Sequence, residues 1–110
     1  KDRGNPALDQ SEVKKFKEGS FSGKPVLART NELIALAHRH CAGLPIIGCG
    51  GIFNAKDAYQ KIRLGASLLQ LITGMIFEGP QLISEINIGL TTMLKKDGFR
   101  YISEAVGADA

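Results

Sequence analysis

Glycine, proline and polar residues dominate the start of the chain, and regularly spaced apolar positions begin only after it. Residues 1–22 are interrupted by Gly4 and Pro6, a composition that predicts an irregular surface lead-in with one helical turn around Ser11–Phe16. The segment Ser22-Gly23-Lys24-Pro25 then predicts a turn, because glycine and proline favour turn conformations. Regular structure is therefore expected from residue 23 onward.

Apolar residues next recur at helical spacing between Thr30 and Cys41. A repeat of three to four positions predicts a helix, which Thr30 or Asn31 is expected to cap at its start and Gly43 to end. The inner face of this helix is expected to carry Leu33, Leu36, Ala37 and Cys41, with Ile34 beside them.

Two short apolar runs follow, with a second helix between them. Leu44–Cys49 has no polar alternation, which is typical of a parallel strand buried on both faces. Gly50-Gly51 predicts a turn, Asn54 a helix cap and Gly65 the helix end. Leu68–Ile72 predicts the second buried strand. The helix between the strands is expected to bury Ala55, Ala58, Tyr59 and Ile62.

The last part of the chain predicts one long helix. An irregular segment is expected at Met75–Gly79, after which Pro80 can open a helix that Gly98 closes. Ser103 is expected to cap a final turn that ends at Val106. The inward residues of the long helix are expected to be Leu82, Ile83, Ile86, Leu90, Met93 and Leu94.

The order strand, helix, strand predicts one βαβ unit with a right-handed crossover. A sheet of only two parallel strands cannot shield its own apolar side chains from solvent. Both of its edges would also keep unpaired backbone N–H and C=O groups. The first helix also lacks a preceding strand. The fold class is therefore α/β, and we expect the C-terminal portion of a (β/α)₈ barrel with its last two strands and flanking helices. This portion is expected to be incomplete by itself and to need the rest of a barrel or another chain.

Composition excludes several classes of protein. The chain has 110 residues, 44% of them hydrophobic, and a net charge of +3, which indicates one small globular domain rather than a disordered tail. Aromatic residues make up only 6%, so a nucleic-acid partner is not expected. We expect no membrane-spanning segment and no targeting signal.

The sequence offers no catalytic or metal-binding constellation. Cys41 and Cys49 are expected to be reduced thiols that act as small apolar residues. His38 and His40 are two positions apart on a helix, so they point to different faces and cannot share a metal. Neither paired carboxylates nor a nucleophile with a nearby histidine is recognisable.

Three glycine-containing segments instead predict an anion site. Ser22–Pro25 is a turn, while Gly48–Gly51 and Ile72–Gly74 each follow a predicted strand. The carboxyl ends of barrel strands commonly hold a phosphate. Glycine lets backbone N–H groups approach the phosphate oxygens, and Thr73 adds a hydroxyl. The alternative is that these segments are tight turns without any ligand.

Consecutive blocks of the chain resemble class 2 dihydroorotate dehydrogenase. The likeness covers roughly residues 19–109 and is carried by ordered, correctly spaced motifs. These motifs are Ser22–Pro25, Pro45–Ile52, Asp57–Arg63, Gly65–Gly74, Glu78–Pro80 and Ile102–Asp109.

The resemblance implies a function and a cofactor. Members of this family oxidise dihydroorotate to orotate in pyrimidine biosynthesis, using FMN, and pass the electrons to a quinone. Their location at the mitochondrial inner membrane or the bacterial cytoplasmic membrane, as peripheral proteins, is implied here too. The FMN phosphate is then expected to contact Gly23, Gly51, Ile72 and Thr73, with Gly50 shaping the turn.

The sequence departs from the family pattern in three places, one of which is the segment before Gly23, where the match is poor. Residue 72 is usually Tyr and is Ile here, and Cys49 stands where Val is common. The family's catalytic serine base, its flavin-contacting lysine and its orotate-binding asparagines have no counterpart in this chain. The chain alone is therefore expected to be inactive. Alternatives are a non-catalytic relic that serves as a structural subunit, or another phosphate-binding barrel such as a phosphosugar isomerase or lyase.

Overall fold

The structure, a computed structural model, describes residues 3–110. Two short parallel strands, β1 and β2, form its sheet, and Ile47 pairs with Leu68, Gly48 with Leu69 and Cys49 with Gln70. The predicted βαβ unit is confirmed. The elements are α1 Gln10–Val13, a 3-10 turn Lys24–Val26, α2 Leu27–His40, β1 Ile47–Cys49, α3 Ala55–Arg63, β2 Leu68–Gln70, α4 Thr73–Glu78, α5 Leu82–Lys96 and α6 Ile102–Ala105.

Helix α3 begins as its sequence predicts. The Asn54 side chain accepts a hydrogen bond from the backbone N–H of Asp57 at 2.9 Å. The Asp57 carboxylate accepts one from the N–H of Phe53 at 3.1 Å. The first bond satisfies one of the N–H groups that the first helical turn leaves without partners, and the second fixes the residue that precedes the cap. Together they define where the chain leaves β1 and enters α3.

The apolar core lies between α3, α5 and the sheet. Ile52, Ala58, Leu82 and Ile86 form one buried cluster, against which β2 packs Leu69. Complete burial of a side chain such as Ile52 or Leu82 contributes about 1.5–3 kcal/mol. A second cluster lies nearer the C-terminus of α3 and contains Tyr59, Ile62 and Ala105.

Helix α2 starts earlier than predicted, at Leu27. Neither Thr30 nor Asn31 caps it, because both lie inside the helix. Their side chains accept hydrogen bonds from a lysine on α3. The predicted inner face is also partly wrong. Ile34 is buried, whereas Leu33 and Leu36 are each 46% exposed.

The segment after β2 differs most from its prediction. Helix α4 replaces the irregular segment expected at Met75–Gly79. Helix α5 begins at Leu82 rather than at Pro80, and Ile83 is half exposed. Ser103 does not cap α6; the Glu104 carboxylate accepts a hydrogen bond from the N–H of Arg100 instead. The helical turn expected around Ser11–Phe16 is confirmed as α1.

Both strands are shorter and more open than expected. Ile47 is 59% exposed and Leu68 is 62% exposed, so the prediction of strands buried on both faces is wrong for this chain by itself. Cys41 and Cys49 are free thiols and are also exposed, contrary to the expected apolar role. Within residues 3–110, none of the helices has both the length and the apolar character needed to cross a membrane.

Candidate functional site

A cavity of about 500 Å³ lies where the two strands end. The turn at residues 22–23, the turn after β1 and the segment after β2 form its walls. These are the three segments that the sequence predicts to gather around one anion. The cavity is lined by all of the predicted contact residues, namely Gly23, Gly50, Gly51, Ile72 and Thr73.

The turn after β1 requires glycine for a packing reason. Gly50 and Gly51 have φ angles of 100° and 76°, which favour glycine. A Cβ atom added to Gly51 would lie 2.6 Å from the Cβ and 2.8 Å from the Cα of Leu27. From the sequence, this glycine was expected to let the backbone approach a phosphate. The structure shows a packing reason as well, because the absence of a Cβ lets the turn contact the start of α2.

Gly23 and Thr73 join the first wall of the cavity to the wall after β2. A Cβ atom on Gly23, whose φ is 82°, would lie 2.9 Å from the Thr73 side chain. The Thr73 hydroxyl donates a hydrogen bond of 2.9 Å to the Ser22 hydroxyl. This bond connects residues that are 51 positions apart, so folding brings both hydroxyls to one side of the cavity.

The cavity suits an anion because it combines hydrogen-bond donors with an absence of carboxylates. In the part of the chain that the structure describes, the N–H groups of Gly23, Gly51 and Thr73 donate to no protein acceptor. Its lining, within that same part, contains neither Asp nor Glu. Backbone N–H groups and hydroxyls are the donors that phosphate groups commonly receive. The donor set therefore fits a phosphate.

Ile72 lines the cavity with a side chain that is 65% exposed. Any hydrogen bond to a ligand from this residue must come from its backbone N–H, since the side chain is aliphatic. The family that the chain resembles usually has Tyr at this position. Ile72 therefore lacks the aromatic ring but keeps the backbone N–H donor.

Lys61 contacts the lining residue Thr30 from behind the cavity wall, and it was not predicted from the sequence. It is completely buried, and its Nζ donates hydrogen bonds to Thr30 Oγ1 at 2.8 Å and to Asn31 Oδ1 at 2.7 Å. Burial lowers the pKa of this ammonium group. The sequence did contain an indication of this burial, because Lys61 lies between Ala58 and Ile62 on the face of α3 that packs inward.

Across residues 3–110, His, Cys, Asp and Glu side chains form no group of three that could hold a metal ion. His38 and His40 lie in the last turn of α2, the end of a helix at which basic residues are favoured.

Comparison with known proteins identifies the family. A sequence model described as dihydroorotate dehydrogenase matches residues 4–94, so the match begins well before residue 19, where the likeness was expected to start. Proteins named dihydroorotate dehydrogenase (quinone) are similar. The one from Crocosphaera subtropica is 53% identical over 83% of the chain, and the one from Xanthobacter autotrophicus is 48% identical over 94%. The chain spans 24% and 29% of their lengths, respectively.

Solved structures agree with the sequence match. The ligand-free DHODH from Eimeria tenella superposes with a TM-score of 0.84 at 28% identity, covering 94% of the chain and 29% of that structure. The same protein in complex with ferulenol gives a TM-score of 0.81 at 32% identity, covering 87% and 26%. The expected fold class, part of an α/β barrel, is confirmed. The chain belongs to the dihydroorotate dehydrogenase family and corresponds to a C-terminal part of its quinone-dependent members.

Proposed function

We propose that this chain forms the FMN-phosphate-binding end of an enzyme that oxidises dihydroorotate to orotate and passes the electrons to a quinone. The observation that carries the proposal is the single cavity into which the structure gathers Gly23, Gly50, Gly51, Ile72 and Thr73. Membership in the dihydroorotate dehydrogenase family supports the same function.

The five residues named above have two kinds of role in this proposal. The backbone N–H groups of Gly23, Gly51, Ile72 and Thr73 bind the phosphate oxygens. The Thr73 hydroxyl, which donates to Ser22 in this structure, turns its hydrogen to the phosphate and accepts a hydrogen bond from Ser22 instead. Gly50 shapes the turn between β1 and α3. FMN, when bound, supplies the redox chemistry, while these residues hold and orient its phosphate end.

The chemistry of dihydroorotate oxidation is proposed to lie outside this chain. We assign no catalytic residue to this chain, and the chain spans about a quarter of the length of its curated relatives. We therefore propose that the other part of a barrel, or another chain, completes the sheet and supplies the substrate and quinone sites. The complete enzyme is proposed to be peripheral to the mitochondrial inner membrane or the bacterial cytoplasmic membrane.

Flavin binding by the full-length protein tests this function. We expect the purified protein to be yellow and to release FMN on denaturation. The isolated chain of 110 residues is expected to bind little or no flavin, because much of the pocket is absent. A colourless, folded full-length protein would contradict the enzyme proposal and favour the alternative of a structural relic.

The Thr73 hydroxyl offers a sharper test of the phosphate site. Thr73→Val keeps the side-chain shape but removes the donor, and we expect about tenfold weaker FMN binding, since one such hydrogen bond is worth about 1–1.5 kcal/mol. Riboflavin, which lacks the phosphate, should bind both proteins equally. Fluorescence titration of the flavin-free protein measures both affinities.

A matched control is available on α5. Thr91 is exposed and its hydroxyl donates to the backbone oxygen of Asn87, away from the lining of the cavity. Thr91→Val should leave both affinities unchanged. Equal losses of FMN and riboflavin affinity in Thr73→Val would show that this hydroxyl does not act on the phosphate.

A further inference from the structure

Lys61 is a buried cation without a partner of opposite charge. Within residues 3–110 the ion pairs do not include it, and the atoms that accept its two hydrogen bonds belong to the neutral side chains of Thr30 and Asn31. A buried charge is costly unless it is compensated. The acidic residue nearest along α3, Asp57, raises the pKa of Lys61 through its negative charge, but its carboxylate accepts the N–H of Phe53 and forms no ion pair with the ammonium.

The ammonium group lies directly behind the wall of the cavity. Thr30 lines the cavity and accepts the hydrogen bond from Lys61 at 2.8 Å. The same Thr30 hydroxyl lies 3.3 Å from the backbone oxygen of Gly50 and 3.1 Å from that of Leu27. One hydroxyl thus connects the buried charge, the start of α2 and the glycine turn.

We propose that Lys61 is a positioning residue for phosphate binding, which holds the turn at Gly50 through Thr30 and supplies the positive charge that favours an anion in the cavity. This inference rests on the proposed function. Electrostatic attraction between the ammonium and a phosphate is stronger here than in water, because the side chain is buried and weakly screened.

Lys24 is the other lysine near the cavity, but the hydrogen bonds of the Thr30 hydroxyl involve Leu27, Gly50 and Lys61 instead. The Lys24 Nζ lies 5.2 Å from the centre of the Phe53 ring, and its side chain lines a neighbouring pocket that shares Ser22, Gly23 and Thr73 with the phosphate cavity. The residues lining the phosphate cavity, within the described chain, include no lysine or arginine. The positive charge behind the Thr30 wall therefore comes from Lys61.

The ratio of FMN affinity to riboflavin affinity tests the proposal in the full-length protein. Lys61→Gln keeps an amide donor for Thr30 and Asn31 but removes the charge. We expect FMN affinity to fall about tenfold, which corresponds to about 1.4 kcal/mol, and riboflavin affinity to stay unchanged. Lys56→Gln, at an exposed position of the same helix, is the matched control and should change neither affinity.

A second variant keeps the test valid if Lys61→Gln fails to fold. Asn31→Asp is nearly isosteric and places a carboxylate beside the ammonium, so it neutralises the charge without moving Lys61. We expect the same selective loss of FMN affinity. Lys61→Arg, which retains the charge, should preserve the preference for FMN. Melting curves of the flavin-free variants separate folding defects from binding defects.

The outcomes separate this proposal from the proposed function. A selective loss of FMN affinity supports the role of Lys61. If the wild-type protein binds FMN and both neutralising variants keep its preference over riboflavin, the role of Lys61 is overturned and the proposed function stands. Absence of FMN binding by the wild-type protein overturns both.

Discussion

At the scale of single residues, Tyr59 joins the apolar core to a polar cluster. Its ring is 92% shielded from solvent, with 8% exposed, and its hydroxyl donates a hydrogen bond of 2.7 Å to Asp97. Burial and this bond to a carboxylate raise the pKa of Tyr59. The guanidinium of Arg63, which is also on α3, lies 5.6 Å from the ring centre. Through its bond to Asp97, Tyr59 connects α3 with the end of α5.

Removing the Tyr59 hydroxyl should destabilise the protein modestly. Tyr59→Phe keeps the packing but leaves Asp97 with one donor fewer, and we expect a loss of about 1 kcal/mol in the free energy of unfolding. Urea denaturation of the full-length protein measures this loss. Tyr101→Phe, at an exposed ring, is the control, and an equal effect of both substitutions would contradict the role of the Asp97 bond.

Substitution of Gly51 should affect folding before it affects any ligand. Gly51→Ala places a methyl group against Leu27, and we expect a loss of about 1–3 kcal/mol from overpacking, added to backbone strain. Gly43→Ala is the control, because Gly43 has a similar φ of 82° but open space around it. Thermal denaturation should rank Gly51→Ala well below Gly43→Ala; equal melting temperatures would contradict this packing role.

At the scale of elements, α3 also holds the C-terminal segment. Arg63 at the end of α3 donates to both carboxylate oxygens of Asp109, from Nε at 2.7 Å and from a terminal nitrogen at 2.6 Å. The backbone N–H of Asp109 donates to the Arg63 carbonyl at 2.8 Å. The hydrogen bonds from Arg63 lower the pKa of Asp109. The segment after α6 is thus fixed to α3 by both backbone and side chain.

This contact should make part of the stability depend on pH. The folded-state pKa of Asp109 lies below its ordinary value of 3.8, so the unfolded chain takes up protons first as pH falls. The contribution of the pair is fully present above that value and is lost as pH falls through the folded pKa. Comparing the wild-type protein with Asp109→Asn in urea should show a stability difference at pH 6 that shrinks below about pH 4; a constant difference would contradict this linkage.

The sequence predicts those features that depend on residues close together in the chain. It does not predict those that depend on contacts between residues far apart in the chain. Asn54 caps α3 as expected because its partner, Asp57, is a neighbour in the chain. The hydrogen bond between Thr30 and Lys61 could not be predicted in the same way, since the two residues are 31 positions apart. The two cavity walls that follow β1 and β2 were predictable because the carboxyl ends of parallel strands meet at one edge of a sheet.

Helix α4 escaped prediction for a different physical reason. Its sequence, Thr73–Glu78, is too short to show helical periodicity, and Ile76 and Phe77 are 72% and 76% exposed. No apolar stripe therefore distinguishes it from a loop. Its only buried residue is Gly74, which carries no side chain and gives no hydrophobic signal.

At the scale of the whole molecule, the sheet presents apolar side chains to solvent. Leu44, Ile47 and Leu68 are each about 60% exposed (66%, 59% and 62%), and they lie in or beside two strands that pair only with each other within the described residues. Exposed apolar residues beside unpaired strand edges favour association with further chain. This agrees with a chain that spans about a quarter of its curated relatives.

The chain of 110 residues should therefore not behave as a stable monomer. We expect it to self-associate, to bind a dye that reports exposed apolar surface, and to unfold without a cooperative transition. Light scattering and thermal denaturation, compared with the full-length protein, measure these properties. A monomer with one cooperative transition would show that the two strands suffice for an independent fold.

Gly74 has one more consequence, for how the cavity can change over time. A Cβ atom at this position would lie 2.0 Å from the carbonyl oxygen of Ile52, so the segments after β1 and β2 meet main chain to main chain. Backbone contact, rather than side-chain size, sets the separation of these two walls. Substitutions at residue 72 can therefore change the polarity of the cavity opening without changing the distance between these two backbone segments.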